Sequence, residues 1–416
     1  MQRTHRIRLY PNNKQASYLA RSCGCARFAY NWALARWKEL YELHLENPAL
    51  HPQPNQYGLR RELNSIKRTE FPWMMEVSKY CPQQAIINLG RAFDNFFKHN
   101  GKYPQFKKKG QHDSFYIGQD QFKLDKSLSR AWIPNLYKFM GGRRELGWIR
   151  IAEPFRYDGA KIVCATVSRT ADRWFIAITC ELPDVEAQPK PHVANPKTVG
   201  IDVGVGKYVT SDKERASVPR AYRSRMRKLR REQQALSRKH RGSANYAKQK
   251  QKVARLHAKI ADVRGDWLHK LTCSLTDSYD VLAIEDLNVE GMVKNHHLAI
   301  SITDASFGEF RRQLEYKARE KQCELVVVDR FYPSSKTCSK CGHVKTKLAL
   351  SERVFTCEEC GYVIDRDLNA AINLKRHAVS STVSACGEFF ASACSPSKGS
   401  TQAASAKQEE IIKLLQ

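Results

Sequence analysis

Two pairs of cysteines carry the most specific chemical signal in the chain. Cys338 and Cys341 are separated by two residues, as are Cys357 and Cys360; 15 residues lie between the pairs, and each pair runs into a glycine, in "CSKCG" and "CEECG". Thiolates so spaced on a tight turn can face a single ion, and two such turns complete a tetrahedral four-thiolate site of the kind that holds Zn2+. The glycines permit the turn its strained backbone. Four protein ligands leave no open position, so this zinc is expected to fold its segment rather than to do chemistry. A redox dithiol or unrelated buried thiols would leave the matched pairs unexplained.

A second set of candidates is acidic. Asp202 lies in "GIDVG" straight after an apolar strand start, Glu285 ends the apolar run of "VLAIED", and Asp367 opens "DLNAAINLKRH". In that last segment Ala370 and Ala371 are small enough to let a helix lie close to a sheet. Taken singly, the three read as a turn residue, a strand-end surface charge and a helix N-cap. As a set, they all fall at the ends of elements in one expected sheet domain, and carboxylates gathered there repel one another unless cations hold them. Hard oxygen ligands suit Mg2+ or Mn2+. Two such ions about 3.5–4 Å apart can activate water and stabilise the leaving oxygen in phosphodiester hydrolysis.

The charge balance supplies a matching substrate class. The chain of 416 residues carries 70 Lys and Arg against 42 Asp and Glu, a net charge of +28, which points to a polyanionic partner. From Lys213 to Arg264 there are 18 Lys and Arg against 3 Asp and Glu, a net of +15. Nine of these cations, Arg223, Arg225, Arg227, Lys228, Arg230, Arg231, Arg238, Lys239 and Arg241, crowd "RSRMRKLRREQQALSRKHRGS". A solvated helix offsets like charges with acids. Phosphate contact along an RNA or a heteroduplex, which gives affinity without sequence information, is therefore expected over a face that only aids solubility. Aromatics at 10% favour nucleic acid over an acidic membrane, because bases stack on rings. No apolar run approaches the roughly 18–20 residues of a membrane helix. The basic start "MQRTHRIRLYPNNK" lacks the apolar core of a signal peptide. Thirteen cysteines, most of them single in apolar surroundings such as Cys164, Cys180 and Cys273, fit a reducing cytoplasm better than a disulfide framework.

The elements that must position these groups divide the chain. Residues 2–10 alternate like a strand; residues 11–105 show helical periodicity, interrupted by the loop "ENPALHPQPNQYG". Beyond the basic run "FKKKG" (106–110), period-two alternation returns in "GWIRIAE", "KIVCATVSRT" and "RWFIAITCEL". A helical block inserted into a small β-barrel made of residues 1–10 and 106–195 is the expected arrangement, with a Pro-rich linker at 183–197. A hairpin at "TVGIDVG" and "KYVTSD" then leads through long basic helices to strand "DVLAIED", helix "SFGEFRRQLEYKAREKQ" and strand "CELVVVDR". That order predicts a mixed sheet flanked by helices over 196–330 and 362–376, interrupted by the cysteine segment 331–361. Residues 377–416, rich in Ser and Ala, read as a flexible tail.

The order "GIDVGVGKYVT", "LAIEDLNVEGM", the two cysteine pairs, "DRDLNAAINL" resembles the RuvC-like nuclease of the TnpB family, transposon-encoded RNA-guided DNA endonucleases related to the type V CRISPR effectors. The resemblance runs from "RIRLYPN" to about Arg376 and includes "FKKKG", "HKLTCSLT", "LAISITDASFGEFRRQLEYKA" and "YPSSKTCSKCG". It implies an α/β multidomain protein. An RNase H-like (RuvC-like) domain would carry the inserted four-cysteine zinc segment, and a wedge-like β-barrel would carry the helical recognition domain. It also implies a guide RNA and double-stranded target DNA as partners, one protein chain per RNA, and catalytic Mg2+ (or Mn2+) held by Asp202, Glu285 and Asp367, with Asp365 in a supporting role. The basic helices would pack against the guide RNA and its duplex with target DNA. Lys79 and Gln83, four apart on one helical face, and Tyr57 in "NQYGL" match positions that read the short duplex motif beside the target; from the residues alone Lys79 and Gln83 are an ordinary exposed polar pair. Around "YIGQDQF" the match loosens, leaving Gln119, Asp120 and Gln121 as weaker candidates. The rival functions are a guide-directed DNA-binding protein that blocks without cutting, a transposase performing strand transfer, and a junction nuclease without RNA. The complete acidic set argues against the first, the extensive basic surface against the second, and the long helical insertion against the third.

Overall fold

The computed structural model describes residues 2–125, 127, 130–132, 147–183, 195–349 and 351–392; most of the Pro-rich linker, and the tail beyond Ser392, lie outside the described residues. The chain falls into two compact units, residues 1–188 with 227–259 and residues 189–226 with 260–416.

The first unit begins with β1 (Gln2–Tyr10), whose alternation buries His5, Ile7 and Leu9. Pro11 stops the strand, and Asn12 opens α1 (Asn13–Glu46) with a capping box: its side chain accepts the Gln15 N–H while Gln15 accepts the Asn12 N–H. One stripe of α1, including Leu19, Ala26, Ala33 and Trp37, is buried, and Trp37 stacks on Phe93 with ring centroids 4.2 Å apart. Phe93 belongs to α3 (Tyr80–Phe97), which follows α2 (Gln56–Ile66). The chain then returns to strands: β2 (Ser114–Gly118), β3 (Lys123–Leu124), β4 (Arg130–Trp132), β5 (Trp148–Ile151), β6 (Lys161–Thr170) and β7 (Arg173–Glu181). With β1 they form one antiparallel sheet in the order β2-β6-β7-β1-β5-β4-β3. Residues 2–10 therefore pair with strands more than a hundred residues away, and the helices are an insertion between them. Among the described residues no ladder joins β2 to β3, the two ends of this order.

The second unit is built on β8 (Thr198–Val203), β9 (Lys207–Thr210), β10 (Arg215–Ser217), β11 (Val281–Glu285) and β12 (Glu324–Val328), ordered β10-β9-β8-β11-β12. The first three are antiparallel and the last three parallel. The basic helices α4 (Ala221–Ser237) and α5 (Ala244–Ser278) lead into β11. Helices α6 (Val289–Val293), α7 (Ala299–Ala305) and α8 (Phe307–Lys321) connect β11 to β12. A small hairpin, β13 (Val354–Thr356) and β14 (Val363–Asp365), precedes α9 (Arg366–Ser392).

Two boundaries differ from the sequence reading. Residues 227–259 group with the first unit rather than with a continuous 196–330 domain; there Arg255 pairs with Asp172, in the turn between β6 and β7, at 2.8 Å. Residues 377–392, expected as the start of a flexible tail, are helical: α9 continues to Ser392, and Ala378 is buried with Leu374, Val281 and Val328.

Gly200 explains how α9 reaches the sheet. A Cβ built on it would lie 2.0 Å from the Ala371 carbonyl oxygen and 2.5 Å from the Lys375 nitrogen, so the helix backbone rests directly on β8. Gly200→Ala is expected to cost roughly 1–3 kcal/mol by overpacking, read as a lower denaturation midpoint of the full chain. An unchanged midpoint would mean that α9 is free to lift.

Candidate functional site

Strand periodicity dictates where the acids go. Gly200 pairs with Ala283 and Ile201 with Ile284, so Gly200, Asp202, Ala283 and Glu285 point to one face of the two parallel strands. That face is the one α9 covers. With Ala371 over Gly200, Asp367 lies one helical turn nearer the carboxyl ends of β8 and β11, on the Asp202 side. Asp202, Glu285 and Asp367 are thereby brought together. Burial, then repulsion from Asp367 and Glu285, pushes the Asp202 carboxyl up to about 7. Burial also raises Glu285, partly offset by the Ser334 hydroxyl, which donates to Glu285 Oε1 at 2.9 Å.

Two cations stand beside Asp367: Arg366, whose guanidinium lies 3.4 Å from Asp367 Oδ1, and Lys207. Lys207 Nζ lies 3.3 Å from Asp367 Oδ2 and 3.4 Å from Asp365 Oδ2. The cap assignment changes as well: Asp365, not Asp367, caps α9, its Oδ1 accepting the N–H groups of Asp367 (3.0 Å) and Leu368 (3.1 Å). Burial opposes ionisation of Asp365, but the Leu368 N–H, Lys207 and Arg215 outweigh it and hold the carboxyl below its ordinary range. Asp367 is relieved of capping, so its oxygens are available to cations.

The four cysteines converge. Their sulfur atoms all lie within 4.8 Å of one another, with Cys338 to Cys360 at 3.7 Å and Cys341 to Cys357 at 3.6 Å. A tetrahedron with Zn–S bonds of about 2.3 Å has edges of about 3.8 Å, close to these two separations, so the cluster can hold zinc. Gly342 and Gly361, which follow the pairs, have φ of 80° and 65°, the left-handed turn that favours glycine. Burial opposes ionisation of Cys338, yet the N–H groups of Cys341 and Lys340 bring its thiol to about 7, as a metal ligand requires.

The basic helix α4 starts on a buried acid. Asp304 accepts the N–H groups of Tyr222 (2.7 Å) and Arg223 (3.0 Å), matching a carboxylate to the positive end of the helix. Arg223, Arg227, Lys228, Arg230, Arg231, Arg238 and Arg241 are exposed, and Arg225 and Lys239 are half-buried. None of the nine is paired with a carboxylate among the described residues. In the first unit Lys79 precedes α3 and pairs with Asp120 at 3.5 Å, while Gln121 accepts the Ser78 hydroxyl. A hydrogen bond from Tyr80, then Lys79, holds Asp120 below its ordinary range. Gly118 leaves room for the Tyr80 ring, which a Cβ would meet at 2.5 Å. Gln119 opens the turn that carries Asp120 and Gln121; Gln83 is half-buried on α3, and Tyr57 is 68% exposed on α2.

Sequence reasoning missed Lys207, Ser334, Asn369 and Asn373. The last two had a signal: asparagines four apart on an Ala-rich helix face must find partners if that face is buried.

No helix among the described residues is long and apolar enough to cross a membrane. Three family models match the chain: a "Helix-turn-helix domain" at residues 1–46, "Probable transposase" at 177–296, and "Cas12f1-like, TNB domain" at 307–374. A Streptomyces pristinaespiralis protein named "Putative RNA-guided DNA endonuclease" is 36% identical over 407 residues, covering 93% of this chain and 92% of the relative. An Escherichia coli K12 protein of the same designation, InsQ, is 33% identical over 408 residues, covering 93% and 94%. A cryo-EM structure of a Cas12f1–sgRNA–target DNA complex superposes with a TM-score of 0.51 at 14% identity, over 90% of this chain and 98% of that one, which speaks to the fold. The chain belongs to the TnpB family of RNA-guided DNA endonucleases encoded by transposable elements.

Proposed function

We propose that this protein binds a guide RNA and, directed by it, hydrolyses phosphodiester bonds of double-stranded DNA at Asp202, Glu285 and Asp367. The observation that carries the reading is the gathering of three carboxylates at the carboxyl ends of β8 and β11 under the first turn of α9. Burying charges, and like charges together, is costly: burial raises both Asp202 and Glu285, and at Asp202 repulsion from its two acidic neighbours adds to it. A site built this way fits hard divalent cations, Mg2+ or Mn2+, by the chemistry of its donors. Bound there, two such ions would supply an activated water and charge for the leaving oxygen. The protein's own part is to hold three carboxylates convergent, so that they ionise together as the cations bind. Asp365 keeps α9 capped, and Lys207 balances the negative charge.

The remaining assignments follow the same reading. The mixed sheet with α9 is the RuvC-like nuclease domain (196–226, 260–330 and 362–392), and the four-cysteine segment (331–361) holds structural Zn2+. The antiparallel sheet of the first unit is the wedge, and residues 11–105 are the recognition domain. Base pairing with the guide reads most of the target. Lys79, Gln83 and Tyr57, with Gln119, Asp120 and Gln121, contact the short motif beside it. In this role the Lys79–Asp120 pair opens on binding, freeing an ammonium for base acceptors.

The exposed cations of α4 are assigned to RNA phosphates. Arg230→Ala with Arg231→Ala is expected to lower the slope of log affinity against log salt by about 1 to 2, measured by anisotropy with labelled guide RNA. An unchanged slope would place the RNA elsewhere. The test of the whole reading is to purify the protein from cells carrying its native flanking DNA, sequence the RNA that accompanies it, and assay plasmid cleavage with Mg2+. Absence of a discrete bound RNA would overturn the guided mechanism.

A further inference from the structure

The α9 helix carries two asparagines that a helix core would ordinarily reject. Asn369 and Asn373 are 0% and 2% exposed, one turn apart, on the same helix that presents Asp367. A buried amide is tolerated only when its hydrogen bonds are made, and all of these are made to one loop of the cysteine segment. Asn369 brackets Cys338: its Nδ2 donates to the Thr337 carbonyl at 2.7 Å and its Oδ1 accepts the Ser339 N–H at 2.9 Å. Asn373 Nδ2 donates to the carbonyls of Ser334 (2.8 Å) and Thr337 (2.6 Å). Ser334, itself 4% exposed, then donates its hydroxyl to Glu285 Oε1 at 2.9 Å. A connected set of buried and part-buried hydrogen bonds thus runs from the two residues that flank the ligand Cys338, through one turn of α9, to a carboxylate at the end of β11.

We propose that Ser334, Asn369 and Asn373 are positioning residues that make the four-cysteine segment a strut, setting Glu285 at its working distance from Asp367. This rests on the reading of the acids as a divalent-metal site. Three features separate a strut from mere packing. The contacts are directional hydrogen bonds. They grip Cys338 from both sides in the chain, so ordering of the four thiolates is felt at the loop. They end on a group of the acidic cluster rather than on inert core. A zinc segment present only to close a surface loop would need none of this.

The test uses the full chain with its guide RNA and follows two readouts, cleavage and the Mg2+-dependent rise in melting temperature. Zinc per chain and guide binding are measured alongside. Ser334→Ala removes one hydroxyl and is expected to keep zinc and RNA at wild-type levels while raising the half-saturating Mg2+ at least about tenfold. Ser334→Thr, which restores the donor, is expected to return it to within about threefold of wild type. Asn373→Asp keeps the size but loses both donors, and is expected to lose cleavage more deeply with RNA binding retained. Should that variant fail to fold, Ser334→Ala decides the matter alone. A Ser334→Ala protein that saturates at the wild-type Mg2+ concentration would overturn the strut. A wild-type protein whose melting temperature ignores Mg2+ would instead overturn the metal-site reading, and the strut with it.

Discussion

Asp202→Ala is expected to lower DNA cleavage at least about 10³-fold, a loss of about 4 kcal/mol of transition-state stabilisation, while guide-RNA affinity stays within about twofold. The asymmetry follows from placement. Asp202 ends β8 beneath α9, among Glu285, Asp367 and Lys207, and is distinct from the exposed arginines of α4. Cleavage assays on plasmid with and without Mg2+, beside RNA-binding measurements, check it; cleavage that survives the substitution would sink the site assignment. The same residue predicts a pH effect on stability in the metal-free protein. Its folded value near 7 lies above its ordinary 3.8, so the folded state holds a proton that the unfolded state releases. The resulting stability is complete below about pH 4 and is lost as pH rises through 7. Three pH units correspond to about 4 kcal/mol, and the side chain's partial access to water reduces this to about 2 kcal/mol. Asp202→Asn is therefore expected to be more stable than wild type above pH 7 without metal, and to lose most of the stabilisation that Mg2+ confers. Denaturant titrations at pH 5 and pH 8 measure both; a variant that still gains full stability from Mg2+ would contradict the assignment.

The second large effect concerns zinc. Cys357→Ser replaces a thiolate with a hydroxyl that binds the ion poorly. The apolar material around the site is small, Phe355 with Cys338 and Cys357, flanked by Leu348, Tyr362 and Ile364. So small a cluster cannot offset the entropy of ordering its segment, whereas zinc in such sites contributes roughly 10–16 kcal/mol of apparent folding energy. Loss of stoichiometric zinc, new protease cuts between Cys338 and Cys360, and at least about a 100-fold fall in cleavage are expected. Metal analysis with limited proteolysis checks the first two. A zinc-free variant whose segment stays protected would show that the apolar cluster suffices.

Some of this protein is written locally in its sequence. The matched Cys-x-x-Cys pairs, the carboxylates at element ends, the period-two strands and the undiluted cations of 223–241 depend only on residue type and spacing over a few positions. Alternation in residues 2–10 and 161–181 marked both as strands, because a half-buried strand shows its pattern wherever its partner lies; that β1 pairs with β7 came from the structure.

Other features depend on which elements meet, and spacing does not carry that. Asp365 and Asp367 are equivalent as caps until the helix start is fixed; the structure gives the two free N–H groups to Asp365. Residues 377–392 were misread as tail because Ser and Ala composition does not reveal that Ala378 has Val281 and Val328 to pack on. Ser334 is an unremarked hydroxyl until Glu285, 49 positions earlier, comes within 2.9 Å. Gly200 is one glycine among 21 until a helix backbone settles where its Cβ would be. The sequence determined which groups can bind metal and phosphate, since that is a property of side-chain chemistry. Only the tertiary structure decided which of them share one face, because burial, repulsion and directional hydrogen bonding exist between groups rather than within them.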